Sequence, residues 1–306
     1  MLIFFNTTLS SNEGFMRAIS MIWYFTLRVI RTNSRRLLLC GIISLTWCAS
    51  AKAQAIVRSS QESTNNLVAT MLKHEDYEAT HKGDYMYLSK ERSNRTGGHL
   101  WTEKVVETSA GKVRMLIADD GQLISNDRLT AEKARLAEIV AHPDMFQKQQ
   151  QARKDDEQHA KEMLDLLPKA FIFENARPDG EYMRIDFKPN PDYEPQSMEE
   201  RVLHEMTGSM LVDPRVARLH MLEGRLPEDV SIGFGLLAII HAGSNFSTTR
   251  GPVPGNEWKT AEIDTDVNGR AIFFKTITRK EHVEHSEFKQ VPMNMTVAQA
   301  VKMLGK

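Results

Sequence analysis

Histidine and glutamate residues form the patterns in this sequence that most resemble catalytic or metal-binding motifs. His204-Glu205 begins like the helix of a zinc protease, in which a second histidine follows the first by four positions, but position 208 is glycine. His74 and His81 are seven positions apart, about 10.5 Å along a helix, which is too far for both to bind one metal ion. Neither pair predicts a metal site.

A second histidine pair lies near the C-terminus, where His282 and His285 alternate with Glu281 and Glu284. In a turn these side chains could bind a metal ion together. In an extended strand the two histidines point to opposite faces of the sheet. We expect a strand, and therefore no metal site.

Motifs for covalent catalysis and nucleotide binding are absent from the sequence. It contains no Gly-x-Ser-x-Gly elbow, no phosphate-binding loop and no dinucleotide glycine fingerprint. The polar run from Gly243 to Arg250 could bind an anion, although a plain loop between strands is favoured. We assign no catalytic residue and no cofactor and expect a non-enzymatic protein. A histidine-based hydrolase or metalloenzyme is the least favoured alternative.

The cysteines and the charges restrict the function further. Both cysteines, Cys40 and Cys48, lie in an N-terminal segment that we expect to be removed, which excludes thiol catalysis, disulfides and cysteine-bound metals from the rest. Residues 1–53 also hold six of the 39 basic residues and one of the 40 acidic residues. The remaining chain is mildly acidic, which argues against nucleic acid as a partner.

The N-terminus has the pattern of an export signal. The uncharged run from Leu37 to Trp47 follows Arg28, Arg31, Arg35 and Arg36, and Ala51-Lys52-Ala53 provides small residues at the positions that a signal peptidase reads. The run is shorter than the ~20 apolar residues of a membrane-spanning helix. We therefore expect cleavage before Gln54 and a periplasmic or cell-envelope location.

Two features of this N-terminal segment leave alternatives open. A second apolar stretch, Phe15 to Ile30, indicates either an over-extended start codon or an uncleaved membrane anchor. The sequence from Ser34 to Leu39 resembles a twin-arginine signal, although the general secretory route is favoured.

Residues 54–306 are long enough to bury roughly three quarters of their unfolded surface and to fold as a single domain. Ser63 to His74 has the spacing of an amphipathic helix, and Tyr85, Tyr87 and Ser89 then alternate with Met86, Leu88 and Lys90, as in a strand. Further strands of this β meander follow. A polar insertion, residues 129–167, is predicted to form two helices divided at Pro143.

The second half of the chain reads as a series of hairpins closed by a helix. Turns are predicted at Pro178-Asp179-Gly180, at Asp213-Pro214 and at Asn268-Gly269. Thr296 to Gln299 forms a capping box at the start of a final helix. The fold class is therefore α+β, mainly antiparallel β, with helices at both ends and one helical insertion.

Two predicted strands, Ile232 to Ile240 and Ala271 to Ile277, carry bulky apolar residues on both faces. Such a strand in an antiparallel sheet must be covered on both sides, by helices, by a second layer or by an apolar ligand in a cavity. The candidate cavity residues are Phe234, Leu236, Ala238, Phe273 and Ile277.

The order of the elements, with Trp258 and Asn268-Gly269 leading into Ile272-Phe273-Phe274, resembles the periplasmic lipoprotein carriers LolA and LolB and the sigma-factor regulator RseB. The resemblance covers roughly Ser63 to Leu304. It implies a curved antiparallel sheet, a half-barrel, around an apolar cavity that helices plug. The polar insertion at 129–167 departs from that pattern, so no binding residue is transferred.

Together these features predict a non-enzymatic envelope protein that binds a lipid, an acylated protein or another apolar ligand. The mature domain is expected to be soluble, with membrane association as an alternative. The alternative function is a structural or interaction module that docks a protein partner through its helical insertion.

Overall fold

The computed structural model describes residues 49–81, 83–232, 238–271 and 275–305. In these residues the fold is α+β with about 48% strand, and 13 strands form one antiparallel sheet that is not closed into a barrel. This confirms the predicted fold class. The predicted targeting segment, residues 1–53, lies outside the described residues apart from 49–53.

The described elements follow one another from a long first helix to a short last one. The helices are α1 Ala49–His81, α2 Asn126–Ala141, α3 Pro143–Ala170, α4 Met198–His204 and α5 Val297–Leu304. The first six strands are β1 Tyr85–Arg92, β2 Leu100–Thr108, β3 Gly111–Asp119, β4 Gln122–Leu123, β5 Phe171–Asp179 and β6 Tyr182–Pro189. The others are β7 Thr207–Asp213, β8 Arg218–Arg225, β9 Val230–Ile232, β10 Ala238–Ile240, β11 Asn245–Val253, β12 Glu257–Ala271 and β13 Lys275–Gln290.

The sheet runs in the order β4-β3-β2-β1-β13-β12-β11-β8-β7-β6-β5, and β10 pairs with β12 and β9. A row of directly paired residues crosses it from β6 to β2 and shows which side chains share a face. The row is Ile185, Met210, Leu222, Thr248, Ile263, Val283, Glu91 and Trp101. Because Ile185 and Met210 pack with helix α1, we call this side the α1 face.

Helix α1 is bound to the sheet by an apolar stripe and by charges. Val68 and Met71 are each 1% exposed and pack in one core cluster with residues of β5 to β8. One turn further on, Glu75 pairs with Arg218 and Arg250. The helix also runs across the predicted cleavage point before Gln54. None of the described helices is long and apolar enough to cross a membrane.

A second core lies on the opposite face, at the other end of the sheet. Val106 and Val113 of β2 and β3 pack there against Leu136 of α2 and against Ala300 and Leu304 of α5. The capping box at Thr296 is present, as predicted: its hydroxyl accepts from Gln299 N, and the Gln299 side chain accepts from Thr296 N.

Helix α3 joins the two cores. Its first turns contribute Phe146 to the opposite-face core, and its last turns contribute Leu167 and Ala170 to the α1-face core. At 28 residues it is about 42 Å long, enough to reach from β3 to β5 near the two edges of the open sheet. The predicted division of the insertion at Pro143 is confirmed, since Pro143 is the first residue of α3.

The predicted turns at Pro178-Asp179-Gly180 and Asp213-Pro214 are found, and Gly180 has a φ of 62°. The turn predicted at Asn268-Gly269 is wrong. β12 continues through both residues, which pair with Thr278 and Ile277 of β13. Glycine is required at 269 for another reason: a Cβ atom there would lie 2.7 Å from the carbonyl oxygen of Ile239 in β10.

Three further sequence interpretations need correction. Residues 232–240 are not one strand, because β9 and β10 pair with each other, Ile232 opposite Ala238. Residues 271–277 are likewise the end of β12 and the start of β13, with Ala271 opposite Lys275. In both segments the apolar run of the sequence continues from one strand into its paired neighbour. The periodicity of apolar residues alone cannot distinguish this arrangement from a single buried strand. The third correction concerns the polar run from Gly243 to Arg250, which is largely strand β11 and not a loop.

Candidate functional site

The predicted cavity residues are only partly covered by the structure. Phe234, Leu236 and Phe273 lie outside the described residues. Ala238, 1% exposed, belongs to a core cluster with Val202 of α4, and Ile277 packs against the same cluster while staying half-buried. The register Ile240–Gly269–Ile277 places Ala238 and Ile277 on one face, the α1 face.

An incompletely covered apolar row occupies the same face in the middle of the sheet. It consists of Leu222 of β8, Phe246 of β11 and Ile263 of β12, all half-buried. Helix α1 packs on β5 and β8 on this face, whereas α2 and α5 pack on β2 and β3 on the opposite face. On the α1 face the apolar row therefore begins at the edge of the region that α1 covers and extends away from it across β11 and β12.

Beyond the row, the α1 face becomes charged while remaining buried. Glu91 of β1 accepts hydrogen bonds from Arg95 at 2.9 and 2.5 Å, and Glu103 of β2 accepts from Arg95 at 3.2 and 2.7 Å and from Arg114 of β3 at 3.1 Å. We call these four residues the ionic cluster. The Arg95 guanidinium also lies 5.3 Å from the centre of the Trp101 ring.

The charges of the ionic cluster compensate one another. Burial alone would raise the pKa of Glu103, but the positive charges of Arg95 and Arg114 lower it to about 2. Beside the cluster, burial raises the pKa of Glu281, and its ion pair with Arg279 opposes that shift. Two carboxylates and two guanidinium groups thus share a desolvated region in which a single unpaired charge would be costly.

Several buried polar atoms at the ionic cluster have no hydrogen-bond partner among the described residues. They are Nε and Nη2 of Arg114, Oγ of Ser89 and Nε2 of His285. Ser89 pairs directly with His285 on one side and with Glu103 on the other, so these side chains share the α1 face. Arg114 is 7% exposed and Ser89 is 0% exposed.

His285 lies where β12 separates from β13. Its Nδ1 is 3.1 Å from the Thr260 carbonyl oxygen, which can only accept, so Nδ1 carries the proton and Nε2 is an acceptor. Burial, followed by the positive charges of Lys112 and Arg114, lowers the pKa of His285 to about 3. The ring is therefore neutral near pH 7 and lies in a positive potential.

The end of the β11–β12 hairpin helps to enclose this region. The Tyr85 hydroxyl donates to Pro254 O at 2.5 Å, and Lys259 Nζ lies 4.6 Å from the centre of the Tyr85 ring. Burial and the charge of Glu257 raise the pKa of Tyr85 to about 12. Tyr85 is 0% exposed, so one wall of the region is an aromatic residue held at its hydroxyl.

His204 and His74, which belong to the metal-like patterns of the sequence, make hydrogen bonds to backbone carbonyl groups in the structure. His204 ends α4 and its Nε2 donates to Asn190 O at 2.9 Å, while Gly208 lies in β7, so no zinc helix forms. His74 Nδ1 lies 3.0 Å from Val216 O. The side chain of His81 lies outside the described residues.

Two groups of side chains in the described part of the chain have metal-like spacing. One is His99, Asp119 and Asp120, and the other is Glu262, Asp264 and His282. Arg128 donates to Asp119 at 2.5 Å, and His282 Nδ1 lies 2.7 Å from Asp264. Both groups therefore already have ion-pair or hydrogen-bond partners. His282 and His285 lie on opposite faces, as predicted for a strand.

A cavity of about 470 Å³ lies between α4 and the connection from β8 to β9. Its walls include Arg201, Glu205 and residues 227–231, so it is lined by charges of both signs. Neither Ala238 nor Ile277 lines it.

The alternation in the sequence placed Ser89 on one face of a strand with Tyr85 and Tyr87, without indicating which face is buried, and it did not reveal the ionic cluster. Extending that alternation by one step places Glu91 on the same buried face, which was the available signal. The partners Arg95, Glu103 and Arg114 could not be assigned, because their contacts depend on the register between β1, β2 and β3.

Comparison of the chain with known protein families, with curated proteins and with solved structures finds no match. The resemblance to periplasmic lipoprotein carriers therefore stays a prediction.

Proposed function

We propose that this protein is a non-enzymatic protein of the cell envelope that binds a lipid, an acylated protein or another apolar ligand on the α1 face of its open sheet. The observation that supports the proposal is the half-buried row of Leu222, Phe246 and Ile263, which lies on the α1 face beside the region that helix α1 covers. Apolar surface left in contact with water costs about 25 cal/mol per Å², and an acyl chain lying along the row removes that cost.

The proposal is tested first by extraction. Protein purified from a bacterial host should yield lipid on organic extraction, and the delipidated protein should bind a fluorescent fatty acyl probe stoichiometrically.

Two directly paired residues provide a matched comparison of variants. Ile263 is half-buried, whereas its partner Val283 is 0% exposed. Ile263→Asp should weaken probe binding with little loss of thermal stability, because the new carboxylate can reach water. Val283→Asp should unfold the protein, since a charge would be buried without a partner. Phe273→Asp extends the test to the predicted cavity residues outside the described part.

Absence of extractable lipid, absence of probe binding and equal destabilisation by Ile263→Asp and Val283→Asp would show that the row is ordinary core. The interaction-module alternative would then be preferred. Its first surface to test is the junction of α2 and α3, where Val140 and Met145 are 36% and 60% exposed.

Export is tested separately. The protein recovered from the periplasm should begin at Gln54 in an intact-mass measurement. Retention of residues 15–47 in a membrane fraction would contradict cleavage and support the anchor alternative.

A further inference from the structure

We propose that Arg114, Ser89 and His285 form a binding site for the carboxylate of a hydroxy acid, in which the hydroxyl group lies on a carbon near the carboxylate. The inference names the head group of the ligand proposed above. It rests on that proposal only for the acyl chain.

The unpartnered nitrogens of Arg114 favour an anion as the ligand. Its Nη1 donates to Glu103 at 3.1 Å, while Nε and Nη2 have no partner among the described residues. Nε and Nη2 form one edge of the planar guanidinium, and two parallel N–H groups on one edge match the two oxygens of a carboxylate. A side chain that is 7% exposed cannot satisfy this edge with bulk water.

The charges around the site permit a further anion. Glu91 and Glu103 are balanced within the ionic cluster by Arg95 and Arg114, and Glu281 is paired with Arg279. At His285 the positive charges of Lys112 and Arg114 outweigh the opposing negative charge of Glu103, so the electrostatic contribution to its lowered pKa comes from net positive charge. A bound carboxylate therefore enters a region whose potential favours negative charge.

The unpartnered atoms of Ser89 and His285 favour a hydroxyl group on the ligand, close to its carboxylate. The Ser89 hydroxyl can donate or accept, and the neutral His285 offers an acceptor at Nε2. A carboxylate alone leaves this acceptor without a donor. A hydroxyl group beside the carboxylate provides the donor, so that all the unpartnered atoms at the site gain partners.

The test uses the purified exported protein and three probes that separate head group from chain. 3-Hydroxydodecanoate has both, dodecanol has the chain without the acid, and 3-hydroxybutyrate has the head group with almost no chain. Dissociation constants are measured by isothermal titration calorimetry at pH 7.5, with thermal melting of each variant as a check of folding.

Three variants accompany the wild type. Arg114→Lys keeps the positive charge beside Glu103 but cannot offer two parallel donors. Ser89→Ala removes a hydroxyl that has no partner among the described residues, so folding should be retained. Arg128→Lys, at an arginine that pairs with Asp119 on the surface, is the control. We expect Arg114→Lys and Ser89→Ala each to bind 3-hydroxydodecanoate about tenfold more weakly than wild type, because each loses one charge-assisted or buried hydrogen bond. The affinity of Arg128→Lys for 3-hydroxydodecanoate should equal that of wild type.

The outcomes distinguish the two proposals. Equal affinity for 3-hydroxybutyrate and 3-hydroxydodecanoate, with both weakened by Arg114→Lys, would keep the carboxylate site and assign it to a free small hydroxy acid, against the acyl-ligand proposal. Equal binding of dodecanol and 3-hydroxydodecanoate, unaffected by Arg114→Lys and Ser89→Ala, would keep the acyl proposal and overturn the carboxylate site. Failure of both acids to bind would also overturn the carboxylate site.

Discussion

His282 and His285 are three residues apart on β13, project from opposite faces of the sheet, and have pKa values shifted in opposite directions. His285 is enclosed beside Tyr87 and the ionic cluster, and its pKa is lowered to about 3. His282 lies at the surface of the opposite face. Burial disfavours its charged form, but hydrogen bonds to Asp264 and Glu284 outweigh that effect and raise its pKa. The two histidines should therefore limit stability at opposite ends of the pH range.

His285 should weaken the fold in acid. In the unfolded chain it has the ordinary histidine pKa of about 6.5, so below this value the unfolded state binds a proton that the folded state does not. Stability is therefore lost as the pH falls from about 6.5 towards 3, by up to about 1.4 kcal/mol per pH unit. His285→Asn retains a donor for Thr260 O without titrating. Urea unfolding at pH 7.5 and 4.5 should show a smaller loss for this variant, and identical losses would contradict the assignment.

His282 should weaken the fold as the pH rises, opposite to His285. Because its folded pKa is raised, its contribution is complete below about pH 6.5 and is lost as the pH rises through the folded value. The side chain is 39% exposed and screened by water, so we expect only a few tenths of a kcal/mol. Wild type should lose this amount between pH 6 and 8, and His282→Gln should not. A larger loss in the variant than in wild type would contradict the sign.

Breaking the ionic cluster should lower the free energy of unfolding substantially. Arg95→Met leaves Glu91 and Glu103 buried without their shared partner, and such removal typically costs about 3–5 kcal/mol. Arg177→Met is the matched control, since Arg177 pairs with Asp186 at 2.7 Å with its side chain 50% exposed, and should cost at most about 1 kcal/mol. Chemical denaturation measures both. A cost for Arg95→Met no larger than the control would show that the cluster is hydrated.

The sequence predicted strands and turns where local chemistry determines them. Asp213-Pro214 and Pro178-Asp179-Gly180 are turns because proline and glycine restrict or permit specific backbone angles nearby. Asn268-Gly269 has an equally strong turn pattern, yet both residues are in strand β12. Asn268 N donates to Ser244 Oγ, and its carbonyl accepts from His241 N. These partners are 24 and 27 positions away, so a local pattern could not reveal them.

The ionic cluster was missed for the same reason, because it depends on pairing between strands.

Gly269 provides a direct test of this corrected position. Its φ is not positive, so alanine meets no backbone strain, but the new Cβ would lie 2.7 Å from Ile239 O and 3.1 Å from Ile240 Cδ1. We expect Gly269→Ala to cost about 1–3 kcal/mol, as overpacking does. Gly251→Ala is the control, because a Cβ there has no atom within 4 Å. Equal effects of the two substitutions in chemical denaturation would contradict the close approach of β10.

Chelation should leave the stability of the protein unchanged. The two groups with metal-like spacing in the described part of the chain are already paired: Arg128 and His99 with Asp119 and Asp120, and His282 with Asp264. A metal ion at His282 would have to displace a proton that the neighbouring carboxylates stabilise, because they raise the pKa of this histidine. Melting temperatures with and without EDTA should therefore agree, and added zinc should produce no shift that His282→Gln removes. A melting temperature that falls by several degrees in EDTA and recovers with zinc would show instead that Glu262, Asp264 and His282 hold a structural metal ion.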